Sequence, residues 1–226
     1  MKLSKICAIY TQSYHRILNE CFLKTLPVEV LDLFEYENID DIGAIPGYPG
    51  SPNFKNVNYK KMFYIHEKIK ENLGNCIIIS DLDIVFFRPF KEMVEQMMDN
   101  YDVLLQDNGN GEYNVGFIVI NCNPKVLNFW DTQILPNADK ILQGFHVGDQ
   151  GLINEELIKS DIRHNNLPKE FWANRTPYSE NGLYNTTIED LLNKIPENPI
   201  LFHGIAIDGH EPIKYDVLKR TISKYE

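Results

Sequence analysis

Residues Cys76 to Phe90 read CIIISDLDIVFFRPF, and no other stretch restricts the fold as much. An apolar run that ends abruptly in two carboxylates one residue apart is the pattern of a buried strand delivering Asp81 and Asp83 to an open sheet edge. Because a strand repeats every two residues, both carboxylates leave on one face, with Cα atoms about 7 Å apart. One divalent cation can lie near both. Taken alone, Asp-x-Asp also fits an ordinary solvated strand end. Here Ile84, Val85, Phe86 and Phe87 continue the segment, so the pair lies where unpaired charge is costly and a cation would relieve that cost.

A chain of 226 residues can bury a sizeable core and fits one α/β domain spanning 1–226 better than two separate ones. The formal net charge of −10, with no cluster of Lys and Arg to offset it, argues against nucleic acid as the partner. A phosphate-bearing ligand then needs a cation or a few placed lysines. Cys7, Cys21, Cys76 and Cys122 sit inside apolar runs without the spacing of a zinc site, and read as reduced core thiols. The opening MKLSKICAIY has too short an apolar run for a secretory signal, and no segment approaches a membrane span, so a cytoplasmic protein is expected. The formal glycosylation acceptors at Asn174 and Asn185 would go unused there.

Along the chain, Ile6 to Tyr10 reads as a first strand. It stops at Thr11-Gln-Ser-Tyr14, and HRILNECFLKTL follows with helical periodicity. The loop between them falls where an open α/β sheet places ligand contacts, beyond the carboxyl end of a strand. Val28 to Phe34 reads as a second strand, and Glu35 to Asn56, rich in Gly, Pro, Asp and Asn, as a long loop. Met62, Ile65, Ile69 and Leu73 share one face of a helix from Asn58, with Gly74 as its terminator. After the carboxylate strand, Pro89 opens a short helix through Met98. Strands are expected at Val103 to Leu105 and at Asn114 to Asn121, then a helix from Pro124 to about Ile134. Gly148-Asp-Gln-Gly-Leu-Ile-Asn154 opens another helix, Ile188 to Asn193 a short one, and Pro199 to Phe202 forms a last strand ending at His203-Gly204. The tail, Tyr215 to Tyr225, is helical.

Four motifs in this order resemble the GT-A glycosyltransferases, particularly the glycogenin-like and nucleotide-diphospho-sugar transferase groups. They are Thr11 to Tyr14 after the first strand, Asp81-Leu82-Asp83, Asn114-Val-Gly116 opening a strand, and the Gly148 to Asn154 helix start. The resemblance spans nearly the whole chain and implies a single Rossmann-like domain, a central mixed sheet flanked by helices. It implies that Asp83 binds Mn²⁺ or Mg²⁺, that Asp81 contacts ribose and assists the metal, and that His203 is the third metal ligand. An imidazole ligand tilts such a site toward Mn²⁺, because magnesium prefers oxygen.

By the same resemblance, Thr11, Gln12 and Tyr14 form the base-contact loop, and Lys60 or Lys61 reaches the diphosphate and sugar. Asn114 and Gly116 make the sugar-side wall, and Asp149 and Gln150 lie beneath the anomeric carbon. Asp107 touches donor or acceptor. Leu82 and Gly204 complete the ligand-binding segments. The family's His-x-x-Gly-x-x-Lys run is spaced more widely here, as His203, Gly209 and Lys214, which puts Lys214 in question as a phosphate ligand.

The implied activity is transfer of a hexose-type sugar from a nucleotide diphosphate donor, UDP-linked, to a hydroxyl of a glycan or glycoprotein, with retention of configuration. One rival is a haloacid-dehalogenase-like phosphatase with Asp81 as nucleophile, which should carry its motif near the start of the chain. The other is a non-catalytic sugar-nucleotide-binding module.

Overall fold

The structure, a computed structural model, describes residues 1–39, 52–109, 111–144, 148–178, 186–205, 207 and 211–226. Nine strands make two sheets among them: β1 (Leu3–Tyr10), β2 (Phe34–Asn38), β3 (Cys76–Ser80), β4 (Ile84–Phe86), β5 (Val103–Asp107), β6 (Tyr113–Asn121), β7 (His164–Asn166), β8 (Phe171–Ala173) and β9 (Leu201–His203). The larger sheet runs β2-β1-β3-β6-β5-β7 and the smaller β4-β9-β8. In the larger one, β2, β1 and β3 run parallel to one another, β6 is antiparallel to both β3 and β5, and β7 lies parallel to β5. This is the mixed sheet the sequence led us to expect.

All of β3 is buried, because both faces of the large sheet are covered. Ile78 enters one core with Leu104, Phe117 and Val119. Ile77 and Ile79 enter the other, which holds Met62, Ile65 and Ile69 of helix α1 (Pro52–Glu71) and Leu152 and Ile153 of helix α2 (Gly148–Lys159). The small sheet packs Val85 and Phe202 against Val217, Leu218 and Ile222 of helix α3 (Glu211–Tyr225). No helix among the described residues is long and apolar enough to cross a membrane.

Several sequence expectations are corrected. The expected strand from Val28 is instead a helical turn, Val28–Leu31, entered through Pro27, with Val28 exposed and only Val30 fully buried. Pairing falls to Phe34–Asn38, an edge strand whose alternating charge hid it from an apolar-run reading. The last part of the long loop is helical, since α1 starts at Pro52; residues 40–51 lie outside the described residues. Leu73 is exposed because α1 ends at Glu71, while Gly74 takes a φ of +88°, as a helix terminator should. Within the polar stretch after Arg163, β7 and β8 escaped notice, being only three residues each. Asn174 is buried with its amide bonded to both the N–H and the C=O of Thr176, so that acceptor is closed to modification.

Asp102, at the entrance to β5, ties three segments together. Its carboxylate accepts from Arg163 Nη2 at 2.9 Å, from the Arg163 main-chain N–H at 3.0 Å and from Asn123 Nδ2 at 3.2 Å. Burial alone would raise this carboxyl, but the bonds from Arg163 outweigh it and hold it below the usual carboxylate range. A depressed folded-state value means that its stabilisation is present above the unfolded value, about 3.9, and is lost as pH falls through the folded one. Asp102→Ala is therefore expected to cost about 2 kcal/mol near neutral pH. In urea titrations the gap from wild type should close on acidification.

Candidate active site

The backbone does something at Asp81-Leu82-Asp83 that the one-strand reading missed. β3 ends at Ser80, and a bend carries the chain from the large sheet into the small one, where β4 begins at Ile84. The Asp81 N–H still bonds to the Gly116 carbonyl at 2.6 Å, completing the ladder with β6, and Ser80 Oγ caps the Asp81 carbonyl at 2.9 Å. Leu82 turns its side chain into the core, so any part it takes in binding falls to its main chain. Asp83 is 5% exposed, and its carbonyl accepts from the Gly204 N–H at 2.8 Å. That bond joins the start of β4 to the end of β9 and defines the place of Gly204.

β9 pairs antiparallel with β4 so that His203 lies opposite Ile84. This register, not sequence proximity, brings the imidazole to the carboxylates. One ligand atom each from Asp81, Asp83 and His203 lie within 4.8 Å of one another. His203 Nε2 is 3.4 Å from Asp83 Oδ1 and 3.8 Å from Asp81 Oδ2. The same nitrogen is buried without a hydrogen-bond partner among the described residues. A buried polar atom left open and aimed at two carboxylate oxygens fits a divalent cation.

Gly116 makes room for this arrangement. A Cβ there would lie 2.0 Å from His203 Cε1 and 2.8 Å from Asp81 Oδ2. The missing side chain is the space His203 occupies.

Two buried lysines flank the trio. The sequence left Lys60 and Lys61 open; Lys60 is exposed, while Lys61 turns inward from α1. Lys61 Nζ donates to Asp81 Oδ1 at 2.8 Å and to the Val115 carbonyl at 3.3 Å, and pairs with Asp149 Oδ2 at 2.8 Å. Burial would lower this ammonium, but Asp149 and Asp81 more than compensate and keep it charged. Lys214, in the first turn of α3, pairs with Asp83 Oδ2 and lies 5.9 Å from the ring of Tyr14. The wider spacing from His203 thus does not keep Lys214 from the site. Burial works to raise Asp83, but Lys214 and His203 prevail and hold it well below the usual carboxylate range. Each aspartate divides its labour: one oxygen faces a lysine and the other faces His203.

Across β6, Asn114 donates from Nδ2 to Gln150 Oε1 at 2.9 Å and accepts the Gly116 N–H at 3.0 Å. Asn154, one turn on from Gln150, bonds both main-chain groups of Tyr113 at 2.7 and 2.8 Å, clamping the start of α2 to the start of β6. Gly148 opens α2 at a φ of +79°, and Asp149 Oδ1 accepts the Gln150 N–H at 3.0 Å. Asn114, Asp149, Gln150 and Lys61 are thereby brought together with the carboxylate pair.

The remaining candidates lie apart from this network. Thr11 Oγ1 contacts Ser13 Oγ at 2.8 Å and Gln12 is exposed, which is turn chemistry. Asp107 is a rim residue, paired with Arg175 at 3.0 Å and accepting the Gly109 N–H at 2.7 Å. Gly209 lies outside the described residues. The sequence reading gave no role to Gln106 and Arg175, and held Asn154 only as the end of the Gly148 to Asn154 motif. For Gln106 the available signal was an uncharged polar residue closing an apolar strand.

No family model matches the sequence, and no curated protein matches it. Solved structures do. A glycosyltransferase involved in glycosylation of the major capsid of PBCV-1 is similar at a TM-score of 0.62 and 9% identity, covering 97% of this chain and 99% of the other. The glycosyltransferase GlyE of Streptococcus pneumoniae TIGR4 is similar at 0.55 and 11% identity over 99% of this chain, which spans 64% of GlyE's length. The galactosyltransferase LgtC, solved with donor and acceptor sugar analogues, is similar at 0.52 and 12% identity, covering 96% and 95%. Identities this low speak for architecture: the chain is built on the GT-A glycosyltransferase fold.

Proposed function

We propose that the protein is a metal-dependent glycosyltransferase moving a hexose-type sugar from a nucleotide diphosphate donor, UDP-linked, to a hydroxyl of a glycan or glycoprotein, with retention of configuration. The observation that carries this reading is the convergence of Asp81 Oδ2, Asp83 Oδ1 and the open His203 Nε2 at one end of the GT-A sheet, beside Lys61 and Lys214. Asp81, Asp83 and His203 would hold Mn²⁺ or Mg²⁺, which when bound neutralises the charge that develops on the leaving diphosphate.

The chain's own residues supply the rest. Lys214 and Lys61 place two further positive charges beside the diphosphate. Asn114 and Gln150, bonded to each other, present amides to sugar hydroxyls. The Asp149 carboxylate is engaged by Lys61, which blunts it as a nucleophile and favours a front-face reaction. In that reaction the bond from the anomeric carbon to the phosphate oxygen breaks, the bond to the acceptor oxygen forms on the same face, and the acceptor proton passes to the departing phosphate. Against the phosphatase alternative stands the fold, together with the ion pair that occupies Asp81.

Mn²⁺ with UDP is expected to raise the melting temperature. At ligand concentrations near one hundred times Kd the gain is about 2.7 kcal/mol, or roughly 5–10 °C for a chain of this size. A screen of nucleotide-sugars with and without Mn²⁺ checks this and identifies the donor; no shift with any of them would refute the reading. A shift without turnover would point to the non-catalytic binding module.

A further inference from the structure

We propose that Gln106 is a positioning residue of the metal site, selecting the tautomer and ring orientation in which His203 offers Nε2 to the cation; the inference rests on the metal-dependent reading above. Gln106 is fully buried on β5, where the pairing with β6 shifts register. Its Nε2 donates to the Phe171 carbonyl of β8 at 3.2 Å. A carbonyl only accepts, so this contact fixes which end of the amide is nitrogen. The amide oxygen then faces His203 Nδ1 at 2.9 Å. An amide oxygen also only accepts, so Nδ1 must carry a hydrogen.

In neutral imidazole that assignment leaves the lone pair on Nε2, the atom that lies open between Asp81 and Asp83. Orientation thus passes from a main-chain carbonyl through an amide to the ring. The anchor is firm, because Phe171 pairs with Leu201 of β9, the strand that carries His203 itself. An apolar residue at 106 would fill the volume but leave the ring free to present the wrong nitrogen.

The test uses the full chain and Mn²⁺ or Mg²⁺ alone. Gln106→Met, similar in length but without an acceptor, is expected to weaken Mn²⁺ binding by roughly 10–100-fold in calorimetry. It should also remove the histidine nitrogen coupling from the Mn²⁺ electron-spin spectrum, as His203→Ala is expected to do, and reduce Mg²⁺ affinity less. Gln106→Glu, which still accepts from Nδ1, should keep the coupling. Unchanged Mn²⁺ affinity and coupling in a folded Gln106→Met chain would overturn the role of Gln106 and leave the metal site standing. No Mn²⁺ binding by the unaltered chain would overturn the metal reading itself. Should Gln106→Met not fold, a long-range proton–nitrogen NMR spectrum of the unaltered Mg²⁺-bound chain decides: a hydrogen on Nδ1 of His203 supports the proposal, and one on Nε2 refutes it.

Discussion

Gly116→Ala is expected to disable the site and destabilise the fold with one methyl group. The added carbon would lie 2.0 Å from His203 Cε1, and the ring cannot retreat, being 1% exposed and bonded to Gln106. Overpacking a close-packed interior typically costs about 1–3 kcal/mol, and an overlap this deep belongs at the upper end. Urea titration should show the loss of stability, and calorimetry the loss of Mn²⁺ binding. The double variant Gly116→Ala/His203→Ala separates the two effects, because residues in contact couple. Removing the ring should restore much of the stability and none of the tight Mn²⁺ binding. Equal stability in both variants would show that the clash is relieved some other way.

Asp83→Ala is expected to abolish the Mn²⁺ and UDP thermal shift and to lower transfer by roughly 10³-fold, the scale of losing a main electrostatic stabiliser of a transition state. It also leaves the buried Lys214 without its carboxylate. Breaking a buried pair from one side costs about 3–5 kcal/mol, so the variant should melt earlier even without ligand. Asp83→Ala/Lys214→Met removes both charges and should recover stability but not activity. A thermal shift that survives in Asp83→Ala would remove Asp83 from the metal set.

Much of this site could be read from the sequence, for physical reasons that differ residue by residue. Asp81 and Asp83 announced themselves because carboxylates inside an apolar run demand a partner. Lys61 precedes Ile65 by four residues and so falls beside the apolar face marked by Met62, Ile65 and Ile69; the sequence reading had that helical phase but did not use it to separate Lys61 from Lys60. His203 was legible by its place at a strand end, but its meeting with Asp83 depends on the β4 and β9 register, a contact distant in the chain. Gln106 stood out only as an uncharged polar residue closing an apolar strand; its two bonds run to β8 and β9, contacts distant in the chain that β5 alone does not specify. The strand expected at Val28 failed because Pro27 and an exposed Val28 start a helical turn, whereas apolar Val28, Val30 and Phe34 interspersed with charged residues read as a strand.

The bend between Ser80 and Ile84 has a mechanical consequence. Asp81 directly follows β3 of the large sheet, Asp83 directly precedes β4 of the small one, and His203 closes β9 there. A cation held by all three would act as a rivet across the seam between two independently hydrogen-bonded layers. Grip on the ion would then depend on how those layers are seated, and a substitution far from the carboxylates that tilts one layer against the other would be felt first as a change in metal affinity.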